Sequence, residues 1–215
     1  MKIAVLGTGE VGRTLATRLA GLGHQVTMGS RTADNREAAD WAAANGGAHG
    51  TFATAAAEAE LVVNATAGQH ALAALTAAGA EHLGGKTVID VSNALDFSAG
   101  FPPKVLVPAE GSVAEQLQAA FPEARIVKTL NTVNNPVMVA PEQVPGPHVV
   151  FLSGEDATAK QRAAELLRSF GWGAGQIVDL GGVATARGTE AYMNLWLPLY
   201  AKVGHGAFNI TLASA

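Results

Sequence analysis

Glycines 7, 9 and 12 stand between a short apolar run, Ile3-Ala4-Val5-Leu6, and a segment with helical periodicity. Such spacing suits a strand-to-helix turn that wraps a phosphate. Gly7 permits the tight turn, Gly9 lets backbone approach a pyrophosphate, and Gly12 lets helix and strand pack closely. With Thr8, Glu10 and Val11 between them, these residues build a cradle of free amides at the positive end of a helix dipole. A second chemical signal is Met28-Gly29-Ser30-Arg31-Thr32, at the end of the next apolar run. Pockets for the ribose of NAD place a carboxylate about 20 residues after the glycines; here the first carboxylate is Asp34. A carboxylate repels a 2′-phosphate. The Arg31 guanidinium can clamp one with paired donors, the Ser30 and Thr32 hydroxyls can add bonds, and Arg36 can add a charge one helical turn later. The pattern predicts NADP(H) as cofactor.

Other strand ends carry Asn64-Ala65-Thr66-Ala67, Val91-Ser92-Asn93-Ala94 and Leu130-Asn131-Thr132-Val133. Small and amide residues suit close approach to ribose and nicotinamide, so Ala65, Thr66, Ala67, Asn93, Asn131 and Thr132 join the cofactor candidates. Loop capping is the competing reading for Asn93 and Asn131. His70 opens a helix at the mouth of the same groove and, with Asn131, is the candidate for positioning reactants; helix capping competes there too. The six histidines show no metal-ligand spacing, and neither a nucleophile elbow nor paired carboxylates are found. Asp90 and Lys128 fall inside strands, where a structural role is the commoner one. Carbonyl reduction needs a positioned proton donor. Hydride exchange between two ring cofactors needs mainly stacking and orientation, and an apolar groove with a few amides suffices.

The elements that must hold these groups alternate between β-rich apolar runs and Ala-rich amphipathic segments, the mark of βαβ units and a doubly wound, mainly parallel sheet of Rossmann type. Strands are expected near 2–6, 25–29, 48–52, 60–65, 87–91 and 124–129, and helices near 10–22, 34–45, 69–79 and 112–120. Residues 54–59 read as a single turn or short helix. Prolines 136, 141, 145 and 147 mark an irregular connection, followed by a strand at 148–152, a helix at 156–170, a strand at 176–180 and one long helix at 183–203. This divides the chain into an NADP-binding domain, 1–135, and a small C-terminal α+β portion, 136–215.

With 215 residues, 48% hydrophobic and 15% charged, the chain is globular rather than disordered. A formal net charge of -4 gives no general attraction to nucleic acid or anionic membrane. The absence of cysteine excludes disulfides and thiolate chemistry and fits a cytoplasmic location. Neither a signal peptide nor a transmembrane span is expected, because the apolar C-terminal stretch is broken by Pro198, Lys202 and His205.

At these residues the chain resembles the NADPH-dependent oxidoreductases of the deazaflavin coenzyme F-420, a group also similar to the cytoplasmic domain of the STEAP metalloreductases. The resemblance covers most of the chain and rests on Gly7-Thr-Gly9-Glu-Val-Gly12, Gly23-His24 leading to Gly29-Ser30-Arg31, and Lys128-Thr-Leu-Asn131-Thr-Val133. Ser153-Gly154-Glu155-Asp156 and Val178-Asp179-Leu180-Gly181 fit as well, and His70 falls where the deazaflavin enzymes carry a histidine. The resemblance implies a C-terminal portion covering the nicotinamide, hydride transfer between NADPH and a deazaflavin or flavin-like ring (F-420, FMN or FAD as second substrate rather than prosthetic group), and a homodimer. The region from Arg187 to Ile210 departs from it and looks like a subgroup. Trp196, Tyr200 and Phe208 there form either a ring-stacking wall or, the favoured reading, part of a dimer interface. Two other functions compete: an NADP-dependent dehydrogenase or reductase of a small hydroxy acid or imine, and a non-catalytic NADP(H)-sensing module.

Overall fold

The computed structural model describes residues 1–106, 108 and 111–213. Its first half is a run of βα units: β1 (Lys2–Leu6), α1 (Glu10–Gly21), β2 (Gln25–Ser30), α2 (Arg36–Asn45), β3 (Ala48–Thr51), α3 (Phe52–Glu58), β4 (Leu61–Asn64), α4 (Gly68–Ala78), the short α5 (Ala80–Leu83) and β5 (Thr87–Asp90). A two-stranded excursion, β6 (Leu95–Asp96) and β7 (Lys104–Val105), precedes α6 (Val113–Ala120) and β8 (Arg125–Thr129). The remainder holds α7 (Asn135–Val139), β9 (Val150–Ser153), α8 (Ala157–Phe170), β10 (Ile177–Asp179), α9 (Ala186–Ala191) and α10 (Met193–Val203).

Eight strands form one sheet in the order β10-β9-β8-β5-β4-β1-β2-β3. Every neighbouring pair is parallel except β8 with β9, where Lys128 lies opposite Ser153. From β3 to β8 this is the doubly wound dinucleotide order, with its reversal between β1 and β4. The C-terminal residues do not form a separate layer. β9 and β10 extend the same sheet, so no break in the sheet marks the expected boundary at 135.

Successive strand residues point to opposite faces, and parallel strands are covered on both, which is why they read as continuous apolar runs. Ile3 and Val5 pack with Leu15, Leu19, Trp41, Phe170 and Trp172 on one face. Ala4 and Leu6 pack with Phe52, Leu75 and Leu117 on the other. Alanines supply much of the second contact: Ala55, Ala56, Ala71 and Ala78 are fully buried, and their small side chains let α3 and α4 lie close to the strands.

The pattern at 54–59 resolves as α3, capped by the Thr51 hydroxyl, which accepts from the Thr54 amide at 3.1 Å. The helix expected over 183–203 is instead a short 3-10 turn at Val183–Thr185, then α9, then α10, with Tyr192 between the two helices. There the ladder tightens, the Leu195 amide donating to the Tyr192 carbonyl at 2.8 Å. Pro198, inside α10, brings no amide of its own. The β6–β7 excursion was not expected, since two-residue strands carry no readable periodicity.

Candidate functional site

Gly7 sits at φ +119°, and a Cβ there would come 2.7 Å from the Ala65 carbonyl oxygen. The turn after β1 therefore lies directly against the turn after β4, at the switch point of the sheet. A Cβ on Gly12 would collide with the Gly7 carbonyl oxygen, so α1 starts pressed onto the turn it leaves. Gly9 is the opposite case: nothing lies within 4 Å of a Cβ built on it. Gly9 also begins α1 without any side-chain cap, leaving the first amides of the helix uncapped by a side chain. Open space in front of unspent amides at a helix N-terminus fits a pyrophosphate. Arg13 braces the loop from behind, its Nη1 donating to the Thr8 carbonyl at 2.6 Å.

Two grooves meet along this wall. The first, of about 560 Å³, is lined by Gly7, Thr8, Gly9, Ser30, Arg31, Asn35, Phe52, Ala65, Thr66, Ala67, His70 and alanines of α4. The second, of about 400 Å³, shares Gly9, Ala65, Thr66 and Ala67 and continues past Glu10, Val11, Ser92, Asn93, Phe97, Asn131, Val133, Asn134, Asn135, Met138, Met193 and Trp196. Among the described residues lining the second groove, Glu10 is the one ionised side chain. Its walls are otherwise apolar, aromatic, amide or hydroxyl.

The sequence candidates divide between these grooves. Gly7, Thr8, Ser30 and Arg31 lie along the first, Glu10, Val11, Asn93 and Asn131 along the second, and Gly9, Ala65, Thr66 and Ala67 along both. Arg31 is exposed at the end of β2. The buried Ser30 hydroxyl donates to the Thr32 carbonyl at 2.6 Å, so it shapes the turn that presents Arg31 rather than offering its proton outward. Thr32 is exposed and lines neither groove. Arg36 points to solvent and pairs with Asp40 at 3.6 Å along its own helix, away from both grooves. Thr132 is buried and lines neither groove. His70 is exposed on the first turn of α4 and lines the first groove, apart from Asn131 in the second. The two residues expected to position reactants are therefore not brought together.

The amides of Asn93 and Asn131 bind each other. Asn131 Nδ2 donates to Asn93 Oδ1 at 3.0 Å and to the Thr189 carbonyl at 2.9 Å, and Asn93 Nδ2 donates to the Asn131 carbonyl at 2.7 Å. Leu130, just before, takes φ +60°, a left-handed conformation costly to a side chain with a Cβ. This backbone twist and the amide pair together set the far wall of the second groove.

Beneath it lies a buried charge cluster. Lys128, 1% exposed, sits 2.7 Å from Asp90 and 3.0 Å from Glu190, and donates to the Ser92 carbonyl at 2.7 Å. Asp90 Oδ1 accepts from Asn64 at 2.8 Å and from the Ser92 amide at 3.2 Å; Asn64 in turn accepts from the Thr66 hydroxyl at 2.7 Å. Glu190 also accepts from the Val113 and Ala114 amides, at 2.8 and 3.1 Å, where α6 begins. Burial acts to lower the Lys128 pKa, but the two carboxylates outweigh it and hold the ammonium above its ordinary value. The lysine stays charged, with its ammonium within 3.0 Å of three oxygens, so it is a structural ion and not a proton donor to the groove.

Residues of this site that the sequence did not single out include Asn35, Phe52, Gln69, Leu95, Phe97, Asn134, Asn135, Met138 and Met193. Asn134 and Asn135 follow Asn131 closely enough that the amide-rich run was itself a signal. Phe97 and Met193 come from the unforeseen excursion and from α10, and no local pattern marks them.

Gly12→Ala is expected to force α1 away from the Gly7 turn, weakening NADPH at least 10-fold and lowering stability by about 1–3 kcal/mol. Isothermal titration with NADPH and a thermal melt check this; wild-type binding by the variant would show that the close approach is dispensable.

Comparison with known proteins agrees with this geometry. The sequence profile described as NADP oxidoreductase coenzyme F420-dependent matches residues 2–94. A crystal structure of a candidate F420-dependent NADP-reductase from Arthrobacter sp. FB24 is 48% identical, with a TM-score of 0.91 and full coverage of both chains. The F420-dependent NADP reductase of Methanocaldococcus jannaschii is 29% identical over 94% of this chain and 93% of its own length. Metalloreductase STEAP3 of Rattus norvegicus is 30% identical over 92% of this chain, which spans 37% of that protein. No described helix is long and apolar enough to cross a membrane. A glycine turn against the β4 turn at the switch point, an arginine rather than a carboxylate after β2 and full-length similarity to such a reductase agree: the chain belongs to the coenzyme F420-dependent NADP oxidoreductase family and is an NADP-dependent oxidoreductase.

Proposed function

We propose that this enzyme transfers hydride between NADPH in the first groove and a deazaflavin, the F-420 class of acceptor, in the second. The observation that carries the reading is the shared wall: Gly9, Ala65, Thr66 and Ala67 belong to both grooves, so a dinucleotide lying along the first directs its ring into the second. NADPH supplies the hydride when bound. The uncapped start of α1 holds the pyrophosphate, and Arg31 clamps the 2′-phosphate. The placement of His70 in the first groove suits contact with the nucleotide rather than proton transfer. Phe97, Met138, Met193 and Trp196 exclude water from the second groove and offer flat and apolar surface to a planar ring. Trp196 stacks on Tyr200 and on Phe208, with ring centres 5.2 and 5.3 Å away, and is held as one layer of an aromatic row. These rings support the stacking-wall reading at Trp196.

The names of the relatives favour the same acceptor, two of them being described as F420-dependent NADP reductases. Leu195 and Val203, 54% and 43% exposed and eight residues apart on α10, support a homodimer built on the outer face of that helix. Light scattering reads the mass directly.

Loss of absorbance at the nicotinamide band, with F-420 and with FMN as acceptors, tests the proposal. Turnover with F-420 is the expected result. Tight NADPH binding without turnover on either ring would overturn it in favour of a small-substrate enzyme or a sensor.

A further inference from the structure

We infer that Glu190 is a positioning residue for the nicotinamide: through Lys128 it locks the covering helices α9 and α10 onto the floor of the second groove. The inference rests on the two-groove reading above and adds to it the device that sets the distance between floor and cover. Lys128 belongs to the floor. Its ammonium holds the Ser92 carbonyl directly, and through Asp90 it also holds the Ser92 amide and Asn64, which orients Thr66. Ser92 and Thr66 both line the groove. Glu190 belongs to the cover. Met193 and Trp196, which close the groove, follow it on the next helix. One residue earlier the Thr189 carbonyl accepts from Asn131 of the opposite wall. Floor and cover are thus joined at two consecutive residues, and one of the two joints is a buried ion pair.

Chemistry favours a positioning role over a merely structural one. A buried ion pair is weak evidence of net stabilisation, because desolvation offsets most of its attraction. Its geometry, however, is narrow: the Lys128 ammonium lies within 3.0 Å of three oxygens, and the Glu190 carboxylate also reaches two amides of α6. Few arrangements satisfy all of these at once. Misplacement of reacting rings by about 1 Å costs up to about 100-fold in rate.

The test is Glu190→Gln in the full chain. The remaining Lys128–Asp90 pair is neutral overall, so the fold need not hold an unpaired charge. Glu190→Asp, which keeps the charge but is too short to reach α6 and Lys128 together, is the second variant. Three readings at 20 °C decide: affinity for 2′-phospho-ADP-ribose, which lacks nicotinamide; the fluorescence emission of bound NADPH, which needs no acceptor; and the rate of hydride transfer to F-420. Expected for both variants are fragment affinity within about 2-fold of wild type, NADPH emission shifted toward that of the free cofactor, and transfer slowed about 10- to 100-fold. Wild-type emission and rate in a variant with lowered Tm would overturn the inference, leaving a structural ion pair. So would the same changes in Arg187→Ala, which removes an exposed pair between α9 and α6. If wild-type enzyme fails to reduce F-420, the proposed acceptor fails, while the emission reading still decides the role of Glu190.

Discussion

Lys128→Met is expected to destabilise the chain by about 3–5 kcal/mol, because it strands two buried carboxylates, Asp90 and Glu190, without their counter-ion. That is a large part of the 5–15 kcal/mol that holds a typical domain together. For a chain of this size it corresponds to a fall in Tm of about 6–20 °C. The loss is greater than that of a surface pair such as Arg36–Asp40, whose removal should be close to neutral. The effect has a pH signature. Lys128 carries a raised pKa when folded, so its contribution is complete below the unfolded lysine value of about 10.4 and is lost only as pH rises beyond it. Thermal melts of wild type and Lys128→Met between pH 7 and 10 should therefore stay a constant distance apart and converge above that range. A gap that closes already near pH 8 would mean that the ammonium is not held by the carboxylates as the distances imply.

Arg31→Ala is expected to weaken NADPH binding about 10- to 100-fold and to leave NADH within about 2-fold of wild type. The range follows from about 1.5–3 kcal/mol for hydrogen bonds to a charged group, at 1.4 kcal/mol per factor of ten. Arg31 is exposed before the nucleotide arrives, so part of its attraction is screened, and raising ionic strength should narrow the difference between the two cofactors. Fluorescence titration at two salt concentrations measures both effects. Arg36→Ala is the natural control, since its side chain is turned to Asp40 and solvent and should change NADPH affinity little. Equal affinity of the wild-type protein for NADH and NADPH would remove the 2′-phosphate clamp altogether.

The glycine turn after β1 and the arginine-bearing, carboxylate-free end of β2 were legible because each is local. Gly7, Gly9 and Gly12 act within one turn, and the absence of a carboxylate before Asp34 is a statement about a single strand end. The parallel core was legible for a related reason: strands covered on both faces must be apolar throughout, and Ile3 to Leu6 are. Secondary structure through β5 follows, and so does the family.

Tertiary structure decided what depends on residues far apart in the chain. Asp90, Lys128 and Glu190 each read as an ordinary strand or helix charge, and only strand order and the return of α9 over the sheet bring them within 3.0 Å. Whether His70 faces nucleotide or acceptor depends on which side of the β1–β4 crevice α4 begins, and no spacing encodes that. The amides of Asn93 and Asn131 turned out to be spent on one another, because a side chain's partners depend on what approaches it rather than on its type. The second groove was assembled from the start of α1, the turns after β4, β5 and β8, the first turn of α4, the β6–β7 excursion, α7 and α10, each contributing one to a few residues. Local chemistry thus determined which cofactor this chain binds, and long-range packing alone determined the shape of the space beside it, since a surface drawn from so many separate elements leaves no pattern in any one of them.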